Sequence, residues 1–151
     1  MAKRLDKLEQ NFLDTIKENN LINKGDVIVV GVSGGPDSIT LLTCLNKYKD
    51  YFEIKLICAH INHLIRKDST EDEQYVENVC EKMGIKCYVK RAEVGKIAKE
   101  QKKGAEEVGR KIRYDFFDEI AKQENANKIA IAHNMNDNAE TMLLNIIRGS
   151  G

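Results

Sequence analysis

A chain of 151 residues is long enough to close one domain around a core, and 42% apolar against 32% charged residues with a single proline excludes a disordered segment. Lys plus Arg equals Asp plus Glu, 24 against 24, so the chain lacks the basic excess of a protein that grips a large nucleic acid unaided. No apolar run approaches the ~18 residues of a membrane helix, and Met1 to Asn20 has no signal-peptide core, so the expectation is a cytoplasmic protein without membrane contact.

Leu5, Leu8, Phe12, Leu13 and Ile16 recur every three to four residues and predict a first amphipathic helix that stops near Asn19-Asn20. Asp26 to Val32 reads as a strand whose continuous run Val27-Ile28-Val29-Val30 suits burial on both faces of a parallel sheet. A glycine-rich turn leads into a helix from about Asp37 to Tyr48, and Ile54 to Ile61 is the second strand. A charged segment from Asp68 opens a third helix with Val76, Val79, Cys80 and Met83 on one face, ended by Gly84. Lys86 to Val89 is a short third strand, Glu93 to Glu100 a brief helix, and residues 101–104 a loop. A long helix follows with Ala105, Val108, Ile112, Phe116 and Ile120 as its stripe. Lys128 to Ala132 is the fourth strand. Asp137 to Ile147 reads as a last helix carrying Ala139, Met142, Leu143, Ile146 and Ile147.

Strands alternating with helices predict an α/β fold, a twisted parallel Rossmann-like sheet with helices on both faces and right-handed crossovers. Ligands of such sheets bind beyond the carboxyl ends of the strands at a topological switch point. Three polar clusters follow strand ends here, Ser33 to Ser38, His60 to Arg66 and His133 to Asp137, so one crevice is expected to collect all three. Cys44, Cys58, Cys80 and Cys87 include no C-x-x-C pair and are expected to be reduced thiols packed as small hydrophobes. No repeat or second domain is visible, and the turn-like Arg148-Gly149-Ser150-Gly151 reads as a cut rather than a finish.

Ser33-Gly34-Gly35-Pro36-Asp37-Ser38, between a buried strand and a helix, carries the strongest chemical signal. Glycines admit a phosphate close to the backbone, the helix amino terminus adds N–H donors and partial positive charge, and Pro36 presets the first turn. Asp37 repels phosphate and is expected to act through Mg²⁺ or as an orienter of the loop. The Walker spacing and its lysine are absent, as is G-x-G-x-x-G. The competing reading is a tight turn with a helix cap. In His60-Ile61-Asn62-His63-Leu64-Ile65-Arg66, strand alternation aims His60 and Asn62 at a ligand. The alternative is a histidine capping the strand end, and a metal reading lacks a third ligand. Arg113, beside Arg110 and Lys111, and the pair His133 and Asp137 complete a transfer site, although Asp137 also reads as a plain helix cap and Arg113 as surface charge.

Together these segments, with Arg110-Lys111-Ile112-Arg113-Tyr114-Asp115-Phe116-Phe117 and Ala132-His133 through Asp137-Asn138-Ala139-Glu140-Thr141, resemble the bacterial tRNA(Ile)-lysidine synthases over residues 20 to 151. The first motif marks the wider ATP-pyrophosphatase (PP-loop) superfamily, with its adenine nucleotide alpha hydrolase type of fold. The resemblance implies an enzyme in which ATP adenylates the wobble cytidine of a CAU-anticodon tRNA(Ile), releasing pyrophosphate, and free L-lysine then displaces AMP. It implies pyrophosphate held by Ser33 to Ser38, Mg²⁺ supported by Asp37, phosphate contacts from Arg113 and His133, and lysine bound or deprotonated by Asp137. It also implies that residues 1–151 form one amino-terminal domain, with tRNA held mostly by carboxy-terminal domains. Leu64-Ile65 stand where the family has Gly-Leu, so a different path after His63 is expected, and Asn134, Asn136 and Asn138 depart from the family's histidine, acid and glutamine. Other superfamily activities, tRNA thiolation or an amidotransferase-type synthesis, and a non-catalytic nucleotide-binding module remain the alternatives.

Overall fold

The central strand β1 (Val27–Gly31) is apolar throughout because both its faces are covered, as the computed structural model of the chain shows for residues 2–64, 69–132 and 144–148, with side chains at 7–64 and 70–132. The other elements are α1 (Ala2–Glu18), α2 (Pro36–Phe52), β2 (Lys55–Asn62), α3 (Ser69–Met83), β3 (Lys86–Arg91), α4 (Val94–Gln101), α5 (Ala105–Gln123), β4 (Lys128–Ala132) and β5 (Leu144–Arg148). The sheet order is β3-β2-β1-β4-β5, with β1 parallel to both β2 and β4, and β2 parallel to β3. The chain steps outward from β1 to β3 and then returns to the far side of β1, which puts the switch point between β1 and β4.

Alternation along β1 divides the core. Ile28, Val30 and Val32 pack with Phe12 and Ile16 of α1, Leu41, Leu42 and Leu45 of α2, and Val76 of α3, whereas Val29 packs with Phe116, Phe117 and Ile120 of α5. Each fully buried aliphatic or aromatic side chain here contributes on the order of 1.5–3 kcal/mol. Helix α5 approaches the sheet so closely that a β-carbon on Gly31 would lie 2.5 and 2.7 Å from Cζ and Cε2 of Phe117. Gly31→Ala is therefore expected to destabilise the protein by about 1–3 kcal/mol, read as a lower urea midpoint, with the second-site change Phe117→Leu recovering part of the loss.

The amino-terminal ends of β1 and β4 are locked by a buried ion pair. Lys128 Nζ lies 2.7 Å from Asp26 Oδ2 and donates to the Leu21 carbonyl at 2.6 Å. Asp26 also accepts from Asn127 Nδ2 at 2.8 Å and from the Asn23 amide at 2.7 Å, while Asn127 Oδ1 accepts the Val27 amide. Burial pushes the Asp26 carboxyl up, but these donors outweigh it and hold the group below its ordinary value.

Most predicted elements lie within a few residues of their places. Helix α2 runs on to Phe52, where Glu53 ends it in the left-handed region at φ 55°, and β3 runs on to Arg91. The predicted last helix is corrected at its carboxyl end: residues 144–148 form β5, antiparallel to β4 with Ile147 opposite Ile129. A continuous apolar run with β-branched residues fits either period, and the backbone groups along the otherwise open edge of β4 favour the strand. The rest of that predicted helix lies outside the described residues. Among the described residues no helix is long and apolar enough to cross a membrane.

Candidate active site

The turn after β1 is built as the sequence predicts, with Gly34 at φ +95°, a conformation a side chain strains to adopt. Gly35 caps α2 without any side-chain hydrogen bond and Pro36 opens the helix. The amides of the turn are not open. Those of Ser33 and Gly34 donate to Ser38 Oγ at 3.1 and 3.2 Å, and that of Gly35 donates to Ser33 Oγ at 3.3 Å. Ser38 in turn donates to the Gly35 carbonyl at 3.1 Å, with Ser33 Oγ 3.1 Å away. The backbone thus converges on one oxygen position, and a serine hydroxyl holds it.

His60, buried at the end of β2, contacts the Val32 carbonyl through Nδ1 at 2.7 Å. A carbonyl only accepts, so Nδ1 carries a proton, while Nε2 is buried and without a partner among the described residues. Asn62 shares that face of β2, but its polar atoms serve the protein: Nδ2 donates to Glu73 Oε1 at 3.2 Å and Oδ1 accepts the Leu64 amide at 2.9 Å. The second bond closes a turn in which Leu64 has φ 56°, the region glycine favours. Leucine therefore stands here in a conformation that glycine adopts more easily, and the path after Leu64 lies outside the described residues.

Glu73, buried on α3, receives Arg91 Nε at 2.9 Å and Nη2 at 2.6 Å. The Arg91 guanidinium first, with Asn62 adding to it, outweighs burial and lowers the Glu73 carboxyl to about 2 from an ordinary 4.5. A group depressed in the folded state stabilises fully above its unfolded value and loses that contribution as pH falls toward the folded one. Glu73→Gln is accordingly expected to lower the urea midpoint at pH 6, with the difference from wild type vanishing between about pH 4.5 and 2.

Arg113 projects from α5 into the same region, its guanidinium 5.9 Å from the Tyr114 ring centre. Its Nε is buried without a hydrogen-bond partner, and among the described residues it has no carboxylate partner. One turn earlier, Gly109 makes room for His63: a β-carbon there would lie 3.1 Å from the His63 ring. Burial first, then the charges of Arg113 and His60, push His63 below its ordinary value, so it is neutral at neutral pH.

Ser33, Ser38, His60, Asn62, His63 and Arg113 line one cavity of about 410 Å³ at the carboxyl ends of β1, β2 and β4. Gly34, Gly35, Pro36 and Asp37 belong to the turn beside it but do not line it, and His133 and Asp137 lie outside the described residues. The sequence reading missed Asp72 and Phe117, both of which line the cavity. Asp72 sits over the turn, its Cβ 3.5 Å from the position of a Gly34 β-carbon. Its spacing from Val76 was the available signal: Asp72 and Glu73 extend the apolar stripe of α3 by one turn.

The sequence profile of the PP-loop domain matches residues 4–151. The chain is 54% identical over 142 residues to a tRNA(Ile)-lysidine synthase of Clostridium acetobutylicum, covering 93% of this chain and 31% of that protein. It is 46% identical over 144 residues to one of Thermosipho africanus, covering 95% and 34%. The chain thus spans about a third of the length of these curated relatives. Among solved structures, the U34-tRNA thiolase NcsA of Methanococcus maripaludis, described with its [4Fe-4S] cluster, superposes with a TM-score of 0.73 at 22% identity, over 89% of this chain and 47% of that one. The NH3-dependent NAD synthetase of Campylobacter jejuni gives 0.56 at 14%, over 85% and 54%. Both likenesses concern the fold.

Proposed function

The chain belongs to the PP-loop domain family, and from that premise we propose that it is the ATP-cleaving amino-terminal domain of a tRNA(Ile)-lysidine synthase. Identity of 42–54% to proteins of that name supports the reading, as does one observation of the cavity: among the described residues lining it, Arg113 through Nε and His60 through Nε2 hold polar atoms that no protein group satisfies. A guanidinium and an imidazole suit a nucleotide, phosphate charge at one end and a polar atom of adenine or ribose at the other.

In the first step the wobble cytidine oxygen attacks the α-phosphorus of ATP and the bond to the β-phosphate breaks. A pyrophosphate oxygen takes the position that Ser38 Oγ holds, so that the Ser33 and Gly34 amides turn from hydroxyl to anion and Ser38 donates to it. Arg113 offsets charge developing on the leaving group. In the second step the lysine amine, relieved of a proton by Asp137, attacks C2 and AMP departs, with His133 beside the phosphates. Asp37 and Asp72 flank the turn with oxygen donors that suit Mg²⁺, which would offset phosphate charge when bound. Zero net charge in these 151 residues supports a tRNA grip made mostly outside them, as the greater length of the curated relatives allows.

Mass analysis of a CAU-anticodon tRNA(Ile) after incubation with full-length protein, ATP and lysine tests the proposal. The expected product carries one lysine less one water on the cytidine, with AMP and pyrophosphate released in equal amounts. Unmodified tRNA, or sulfur in place of lysine, would overturn it.

A further inference from the structure

Cys58, Cys80 and Cys87 have no short spacing in the sequence, yet the fold gathers them. Cys58 and Cys87 are register partners on β2 and β3, and Cys80 of α3 packs with them in the same core layer. Their three Sγ atoms all lie within 4.8 Å of one another. Cys58 and Cys80 are buried, Cys87 is partly exposed, and all three are free thiols.

Metal–thiolate bonds are about 2.3 Å long, so three sulfurs around one ion in a plane stand about 4.0 Å apart. The observed cluster closes to that geometry by a shift of less than an ångström. Sulfur selects soft ions. Among the described residues no histidine or carboxylate joins the group. The neighbouring core side chains, Leu56, Val76 and Ile85, offer no oxygen or nitrogen. Zinc sites of structural type want four ligands, and this apolar layer supplies three. We propose that Cys58, Cys80 and Cys87 form a three-sulfur site for a soft monovalent ion, Cu(I). Each Cu–S bond replaces an S–H bond whose proton leaves to solvent, with Cys87 as the way in, and copper stays monovalent throughout. The occupant sits two residues along β2 from His60, on the same face of the strand, so it borders the cavity wall without belonging to it.

The test is an anaerobic titration of reduced full-length protein with Cu(I), buffered by bathocuproine disulfonate, with wild type, Cys80→Ala and Cys87→Ala compared and folding checked by circular dichroism. Wild type is expected to take up one equivalent more than either variant, and Zn(II) to show no such difference. X-ray absorption of wild type at one equivalent should give three sulfur neighbours at about 2.3 Å, a readout that holds whether or not a variant folds. Equal Cu(I) uptake by wild type and folded variants, or a shell containing nitrogen or oxygen, would show that the three thiols are core packing and no more.

Discussion

Replacing Arg113 by alanine in the full-length protein should slow pyrophosphate release from ATP by ~10²–10³-fold, the usual loss when a charge aimed at a transition state is removed. The fold should barely notice. Arg113 has no carboxylate partner among the described residues and its Nε is already without a hydrogen bond, so truncation strands no other buried group. The effect belongs in kcat, because charge on the bridging oxygen grows as the bond to it breaks. Arg113→Lys keeps the charge and loses the fork, so it should restore part of the rate. Pyrophosphate release followed under single turnover separates the cases, and an alanine variant with wild-type kcat would assign Arg113 to the surface of α5.

Asp26→Ala should cost about 3–5 kcal/mol, because it leaves the Lys128 ammonium buried beside nothing of opposite sign. For a protein of this size that is a fall in Tm on the order of 10 °C. The double change Asp26→Leu with Lys128→Met removes both charges and should recover most of it. Because the pair lies at the amino-terminal ends of the strands, opposite the cavity, activity per folded molecule should be unchanged. Thermal melts and urea titrations of the three proteins check the order: wild type and double variant close together, Asp26→Ala well below.

What the sequence made legible was what is contiguous in it. Val27 to Ser38 announces strand, turn and helix within twelve neighbouring residues, and all three are found. The convergence of Ser33, Ser38 and His60 followed from the rule that ligands sit at strand ends, and Arg113 joins them from α5 as a charge suited to phosphate. Features that depend on layer contacts were hidden. Glu73 reads as one acid among several at a helix start, and only the packing of α3 against β2 and β3 buries it beside Arg91. Phe117 falls one residue off the predicted stripe of α5, yet the missing side chain of Gly31 draws it to the sheet. The three thiols have no motif because strand pairing brings Cys58 to Cys87 and the packing of α3 brings Cys80 to both. Ile146 and Ile147 were assigned to a helix because an apolar run does not declare its period, and the neighbouring edge of β4 decides it.

Val27 donates its amide hydrogen to the side-chain oxygen of a residue 100 positions later, Asn127, and its strand cannot gain a neighbour on that side until β4 exists. On a ribosome adding about 5–20 residues per second, the most apolar ribbon of the protein waits roughly 5–20 s with one flank bare. The half built from β1, β2 and β3 can condense meanwhile, but it presents a raw hydrogen-bonding margin to every other nascent chain nearby. Yield at high expression should therefore be governed by synthesis rate and chaperone supply more than by the stability of the finished domain.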